Sequence, residues 1–189
     1  MTWAFLLTSF VIVATPGTGA LFTLAAGLAR RGRAGVLAAF ACTLGIVPHL
    51  LAAVTGLAAL LHASGVAFNV VKYAGVGYLL YLAWTTWRDT GALAVDASDS
   101  AARSWRSVVV SGVTVNLLNP KLTIFFVAFL PQFVPAGSTG SVVPMLALSG
   151  VFMAMTFVVF AVYGVLVGLR RVFAATFVGL GARLAVESR

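Results

Sequence analysis

Acidic residues are scarce in this sequence, and none of them falls inside a long apolar segment. The 189-residue chain contains four, namely Asp89, Asp96, Asp99 and Glu187. The apolar segments therefore offer no paired carboxylates for general acid–base catalysis and no His, Cys, Asp and Glu cluster with metal-ligand spacing. We expect neither an enzyme nor a metal site. Any solute bound there is expected to be zwitterionic or anionic, because a cation would find no counter-charge.

Charge of either sign is also rare. Charged residues make up 8% of the chain, hydrophobic residues make up 61%, and the mean hydropathy is +1.08, whereas soluble domains carry about 25% charged residues. So few polar groups cannot cover a surface that faces water, and the sequence predicts that its solvent is lipid. The net charge of +8 does not indicate nucleic-acid binding, because the basic residues lie at the ends of apolar runs, as membrane topology signals do. The single cysteine, Cys42, has no internal disulfide partner.

Long apolar segments predict an all-α integral membrane protein of about six transmembrane helices. A spanning helix needs about 20 mostly apolar residues. By this rule the predicted spans are 3–29, 35–61, 67–87, 108–133, 142–169 and 172–186. The last span is short and follows Arg170 and Arg171 almost without a connector. We predict one membrane domain, with repeat halves at about 1–88 and 107–189 joined by a linker at 88–107.

The distribution of arginine predicts which side of the membrane each connector faces, since cytoplasmic loops are enriched in lysine and arginine. With the amino terminus outside, the cytoplasmic connectors carry Arg30, Arg31, Arg33, Arg88, Arg103, Arg106, Arg170 and Arg171. The two outer connectors, 62–66 and 134–141, contain no lysine or arginine. We therefore predict a bacterial inner-membrane protein with both termini on the outer, periplasmic side.

Two prolines interrupt apolar spans. Pro16 stands in the run TPGTG of span 1, and Pro120 stands in the run NLLNPK of span 4. Proline removes a backbone donor and disfavours helical geometry in the preceding residue, so each is either an ordinary kink or a break that lines a polar cavity. The prolines occupy corresponding places in the two three-helix halves, and an odd number of spans inverts the second half. Broken helices at matching positions of inverted repeats mark binding sites in transporters, so we predict a site between spans 1 and 4.

Lys121 follows the second proline near the middle of span 4. A lysine at the centre of a span costs about 2.5–3.5 kcal/mol on insertion scales, so it usually faces a cavity or a partner. It lies too far from both ends of the span to extend its amine comfortably to the interface. The half-helices that start at the prolines add free N–H groups and a positive dipole end. We predict a substrate-binding site, in which Lys121 captures a carboxylate, formed by Pro16, Gly17, Asn116, Asn119, Pro120 and Lys121.

Three further residues are candidate accessories to this site, and each has a structural alternative. His49, in span 2, is either a proton relay, because histidine exchanges protons near neutral pH, or a buried neutral histidine bonded to a backbone carbonyl. Lys72 either serves the site or extends its amine to the outer membrane face. Tyr78 either offers its hydroxyl to a cavity or packs in the core.

Several of these segments resemble the LysE/RhtB family of bacterial amino-acid exporters. The resemblance is most specific in NLLNPK at 116–121 and in LPQF at 130–133. It also includes Pro16-Gly17, RRGRAG at 30–35, His49 followed by GLAALL at 56–61, and KYAG and GYLLYL at 72–75 and 77–82. These pieces occur in the expected order over most of the chain. Thr18 departs from the pattern, because family members usually carry a second proline there, and the first break is expected to be looser.

The resemblance implies a secondary transporter that exports amino acids or related small zwitterionic metabolites, driven by the proton gradient and without an organic cofactor. The alternative hypothesis is a non-transporting membrane partner or assembly subunit. Gly164 and Gly168 form a small-xxx-small pair, which predicts close helix packing either within the chain or in a homodimer.

Overall fold

The computed structural model describes residues 2–30, 32–63, 65–88, 104–134 and 142–186, which are helical with short breaks and contain no strand. The α-helices in these ranges are α1 Trp3–Ala14, α2 Thr18–Arg30, α3 Gly32–Leu44, α4 Val47–Ala63, α5 Gly65–Arg88, α6 Trp105–Leu117, α7 Pro120–Ile124 and α8 Val142–Val186. After α7 the chain continues as a π-helical turn, Phe125–Phe129, and a 3₁₀ turn, Leu130–Phe133. Within these ranges the description leaves out the side chains at 30, 57–63, 65, 67, 68, 71, 72, 79, 82, 83, 85–88 and 167–186.

Two helical segments in the described part of the chain are long and apolar enough to cross a membrane, Gly32–Gly56 and Val142–Leu166. Two more qualify as bent pairs, Trp3–Ala14 with Thr18–Ala29 and Trp105–Leu117 with Pro120–Phe133, which bend by 54° and 49°. By length and composition the described residues thus hold two to four membrane-crossing segments. The all-helical class is confirmed, and the bends fall at the two prolines as predicted. Six spans and the inverted repeat stay predictions.

The carboxyl-terminal segment differs from the prediction. One helix, α8, runs from Val142 to Val186 without interruption, so the helix has no break at 170–171 between the predicted fifth and sixth spans. The run VGLRRVFA at 167–174 contains no proline, and arginine is a good helix former. Two adjacent charges therefore do not end this helix. The predicted turn at 135–141 and the linker residues 89–103 lie outside the described residues.

The helix α3 packs against three others, α2, α6 and α8. Its buried face carries small side chains: Ala34, Ala38, Ala39 and Ala41. Gly35 of α3 lies so close to Gly164 of α8 that a Cβ atom added to Gly164 would be 2.7 Å from the Gly35 Cα. Small residues that let two backbones approach are a common packing device inside membranes. Gly164 therefore makes a contact within the chain, whereas the Gly168 position lies outside the described contacts.

A cluster of phenylalanines fills another part of the core, between the turn that follows α7 and the middle of α8. The rings of Phe125 and Phe152 stack with their centroids 4.3 Å apart, and Phe126 meets Phe152 edge-on at 5.4 Å. All three side chains are fully buried. Their packing holds α8 against the second part of the bent α6–α7 segment.

Candidate functional site

The first bend, between α1 and α2, leaves a backbone carbonyl without its helical partner. In a continuous helix the Ile12 carbonyl would accept a hydrogen bond from the N–H of residue 16, but Pro16 has no N–H. Lys121 supplies the missing donor. Its Nζ donates to the Ile12 carbonyl oxygen at 2.8 Å and to the Thr15 carbonyl oxygen at 2.9 Å. The lysine thus binds the carboxyl-terminal end of α1, which is the negative end of the helix dipole.

Tyr163 of α8 adds a further bond to this bend. Its hydroxyl donates to the Ala14 carbonyl oxygen at 2.8 Å. Backbone polar groups without hydrogen-bond partners are costly in lipid. Here side chains of α7 and α8 donate hydrogen bonds to three carbonyl oxygens at the end of α1. Tyr163 was not among the predicted site residues. The sequence feature that could have indicated Tyr163 is its hydroxyl group within a strongly apolar span.

The second bend, between α6 and α7, is bonded in a corresponding way. Pro120 removes the N–H that the Asn116 carbonyl would accept in a continuous helix. This carbonyl oxygen accepts instead from the Asn119 N–H at 3.2 Å, and it lies 3.0 Å from His49 Nε2. Since a carbonyl oxygen only accepts, the Nε2 of His49 carries a proton in this contact. Each carbonyl freed by a proline is therefore satisfied by a basic side chain from the other half of the chain.

The side chains of Asn116 and Asn119 connect the second bend to its neighbours. Asn116 Nδ2 donates to the Cys42 carbonyl oxygen at 2.6 Å, and Asn116 Oδ1 accepts from Asn119 Nδ2 at 3.3 Å. Asn119 Oδ1 accepts from the Lys121 backbone N–H at 3.1 Å and so caps α7. Gly19 of α2 lies against the same group, because a Cβ atom there would overlap Asn116 Oδ1. These contacts join the two bends and position Lys121 at the start of α7.

A cleft lies between the two bends and α8. It has about 270 Å³ of atom-free space when the part open to the outside is counted, of which about 10 Å³ is cavity volume. The second bend contributes Asn116, Asn119 and Lys121 to its walls, and α8 contributes Phe152, Thr156 and Phe160. The Thr156 hydroxyl donates to the Phe152 carbonyl oxygen at 2.9 Å within its own helix. The cleft therefore has one polar wall and one mostly apolar wall.

Four of the six predicted binding residues line this cleft: Gly17, Asn116, Asn119 and Lys121. The other two, Pro16 and Pro120, are not part of its walls. They contribute by removing backbone donors, which produces the bends that bring the four together.

The three predicted accessory residues have different positions. His49 does not line the cleft; it contacts the carbonyl of Asn116, and its Nδ1 lies 3.3 Å from Thr123 Oγ1. Tyr78 is half-buried on α5, with its ring 6.0 Å from that of Tyr81, and it does not line the cleft either. The side chain of Lys72 lies outside the described residues.

The three cleft residues of α8 were not predicted. Phe152, Thr156 and Phe160 follow one another at intervals of four, so they lie on one face of the helix. A four-residue repeat of aromatic and hydroxyl side chains was visible in the sequence. Which face of a uniformly apolar helix points inward depends on packing, however, and the repeat does not reveal it.

Two bent helices that meet beside a cleft inside an apolar helical protein form the arrangement in which many membrane transporters bind solutes. Within the described residues, no three His, Cys, Asp or Glu side chains are grouped so as to hold a metal ion. The fold and the cleft together are those expected of a multi-pass membrane protein of the transport class.

The profile of the LysE type translocator family matches residues 10–188, and the chain belongs to this family. It is 34% identical over 169 residues to the leucine efflux protein of an Enterobacter species, covering 84% of this chain and 78% of the relative. It is 34% identical over 134 residues to the homoserine/homoserine lactone efflux protein of Salmonella typhi, covering 70% of this chain and 64% of the relative.

A third relative is an uncharacterized membrane protein of Vibrio cholerae, which is 33% identical over 131 residues, with 69% of this chain and 63% of the relative covered. The matched regions thus span less than two thirds of two of these three relatives. No solved structure matches the chain at a significant level. The family match confirms the resemblance to LysE/RhtB exporters.

Proposed function

We propose that this protein is a secondary transporter that exports amino acids or related small zwitterionic metabolites across the bacterial inner membrane. The observation that carries the proposal is the position of Lys121, which lines the cleft and bonds the first bend from within the second. Relatives in the family are named as efflux proteins for leucine and for homoserine. The alternative, a non-transporting membrane partner, loses one of its arguments because Gly164 packs inside the chain.

The charges around the cleft suit a zwitterion. Gly17, Gly19 and Ala20, at the start of α2, line the cleft, and the N–H groups and positive dipole end of a helix start favour a carboxylate. Lys121 adds a positive charge close by, since a Cβ atom on Gly17 would lie 3.2 Å from its Nζ. All four acidic residues, at 89, 96, 99 and 187, lie outside the described helices. We infer that the carboxylate of the solute binds between α2 and Lys121.

The lining of the cleft favours a small solute with an apolar side chain. The enclosed part has a volume of about 10 Å³, enough for roughly one water molecule, so a solute enters only when the side chains around Lys121 move apart. The wall formed by α8 presents Phe152 and Phe160. An aliphatic side chain would replace water against this wall without leaving a polar group unpaired.

We propose that the amino terminus lies on the periplasmic side, and the packing supports this part of the orientation. A periplasmic carboxyl terminus would need a turn near 170–171, where α8 continues without a break. Arg33 and Arg106 are exposed at the starts of α3 and α6, two helices that pack on each other. Val165 of α8 lies against Gly32, so this part of α8, shortly before Arg170 and Arg171, is near the same end of the protein. Positive charge gathered at one end is expected to face the cytoplasm.

The proposal predicts solute exchange by the purified protein in lipid vesicles. Vesicles loaded with one unlabelled amino acid are diluted into a low concentration of the same labelled amino acid, for a panel of leucine, homoserine, glutamate and lysine. We expect counterflow with leucine or homoserine and little with lysine, because the described helices supply no acidic side chain for a second cation. Uptake no greater than that of protein-free vesicles across the whole panel contradicts the proposal and favours the non-transporting alternative.

Proton coupling is the finer part of the proposal, and it rests on His49. Its Nε2 is bonded to the Asn116 carbonyl and its Nδ1 lies 3.3 Å from Thr123 Oγ1, and we propose Nδ1 as the position of the coupling proton. We expect His49→Gln, which keeps an N–H donor for Asn116 but cannot titrate, to retain counterflow and to lose accumulation driven by an imposed pH gradient.

His49→Ala is the comparison, because it removes the donor as well as the proton carrier and is expected to lose both activities. If His49→Gln still accumulates solute when a pH gradient is imposed, His49 carries no coupling proton and only supports the second bend.

A further inference from the structure

We propose that the carbonyl oxygens of Ile12 and Thr15, termed here the carbonyl pair, form the binding site for the α-ammonium group of the solute. In the structure this site is filled by the ammonium of Lys121. The inference rests on the proposed function and names the chemical group recognised at the end of α1, where Ile12 lines the cleft.

The carbonyl pair has the chemistry of an ammonium site. Its two oxygens converge on one nitrogen at 2.8 and 2.9 Å, and an ammonium group offers three donors and no acceptor. The pair lies at the carboxyl-terminal end of α1, where the helix dipole is negative. Freed carbonyls and helix ends of this kind hold cations in transporters with discontinuous helices. The nitrogen of Lys121 is a primary ammonium, the same group as that of an amino acid, so it shows directly that the pair accepts such a group.

An exchange of ammonium groups leaves no polar group unpaired. When the carboxylate of the solute draws the Lys121 amine away, the carbonyl pair loses a donor, and the ammonium of the solute replaces it. Lys121 then bonds the carboxylate, so each charge keeps a partner, as a site surrounded by lipid requires.

The local structure allows this exchange. Gly17 lies beside the lysine amine, and a Cβ atom in its place would be 3.2 Å from Nζ. The lack of a side chain leaves room for the amine to move towards the start of α2. Because the Ile12 carbonyl is the one that Pro16 sets free, the exchange also takes place at the bend itself. The ammonium of Lys121 therefore competes with the ammonium of the solute for the carbonyl pair.

Chemical rescue of Lys121→Ala tests the proposal without any need for transport. The probe is butylammonium, which supplies the lost ammonium on an alkyl chain one carbon longer than the three carbons that the substitution removes. The readout is the thermal unfolding midpoint of the purified full-length protein in detergent. We expect Lys121→Ala to unfold at a lower temperature than the wild type. Butylammonium should restore the midpoint at a concentration at least about tenfold lower than any that affects the wild type, in which the site is filled.

Butanol and tetramethylammonium are the probe controls, since neither offers an ammonium N–H, and both should leave Lys121→Ala unchanged. Tyr163→Phe is the matched protein control. It removes the donor to the Ala14 carbonyl while Lys121 stays in place, so it should lose stability without being rescued. If Lys121→Ala does not fold, Lys121→Met, which keeps the apolar stem, is tested with methylammonium under the same criteria.

Equal shifts of the midpoint in all variants, or no shift in the Lys121 variants, overturn the proposal. A failure of the ammonium-site proposal can be distinguished from a failure of the proposed function. Rescue without amino-acid counterflow retains the carbonyl pair as an ammonium site and rejects export. Counterflow without rescue retains export and rejects the ammonium site.

Discussion

Counterflow of leucine is expected to fall by about 10- to 100-fold when Lys121 is replaced by alanine. In the proposed bound state the amine donates to the carboxylate of the solute, and a hydrogen bond to a charged group contributes about 1.5–3 kcal/mol. A loss of about 1.4 kcal/mol corresponds to a factor of ten. The substitution removes both the contact that shapes the first bend and the proposed partner of the carboxylate. The measurement is the initial counterflow rate per amount of folded protein in the vesicles.

Leu118→Ala is the control for this experiment. Leu118 follows α6 at the second bend, and its side chain is 73% exposed, so its truncation changes the same region without touching the cleft. We expect a rate close to that of the wild type. A Lys121→Ala protein that exchanges leucine at the normal rate removes Lys121 from the site, and the carboxylate-binding mechanism goes with it.

Gly164→Ala is expected to lower the thermal stability of the protein strongly. The new Cβ atom would lie 2.7 Å from the Cα of Gly35 in α3, a distance that requires one helix backbone to move. Overpacking of a tight core costs typically about 1–3 kcal/mol, and a clash with backbone rather than with a flexible side chain favours the upper end of that range. The measurement is the unfolding midpoint of the purified protein in detergent.

Gly150→Ala is the matched control, since it places the same change in the same helix. A Cβ atom on Gly150 meets nothing within 4 Å, and alanine is the better helix former by about 1 kcal/mol in soluble helices. We expect this variant to equal or exceed the wild type in stability. Similar midpoints for Gly164→Ala and Gly150→Ala would show that α3 and α8 do not approach as closely as the structure indicates.

Local backbone chemistry explains why both bends were predictable from the sequence. The missing N–H of Pro16 and of Pro120 is a property of the residue itself, and it acts on a carbonyl four positions earlier in the same segment. A polar partner for Lys121 was predictable for a related reason, because a lysine deep in an apolar run needs one. The structure places Lys121 on the cleft wall, while its role in binding a solute stays a proposal.

The partners of the freed carbonyls were not predictable from the sequence. Lys121 bonds Ile12 and His49 bonds Asn116 across 109 and 67 residues, and such pairings depend on how the helices pack. For His49 the structure contains the carbonyl contact that the structural alternative required, while its role in proton transfer stays a proposal. Packing also decides which face of α8 lines the cleft, which is why Thr156 and Tyr163 were missed.

Each bend is hydrogen-bonded by a side chain that is distant in the sequence, and this arrangement has a consequence for biogenesis. While the ribosome has released only the first helices, Ile12 has no lysine to bond its carbonyl, because that lysine lies 109 residues further along the chain. The first bend is therefore expected to reach its final bonding only after α7 has entered the membrane. A fragment that ends at residue 88 lacks the donor to Ile12 and is not expected to reach the final shape of this bend.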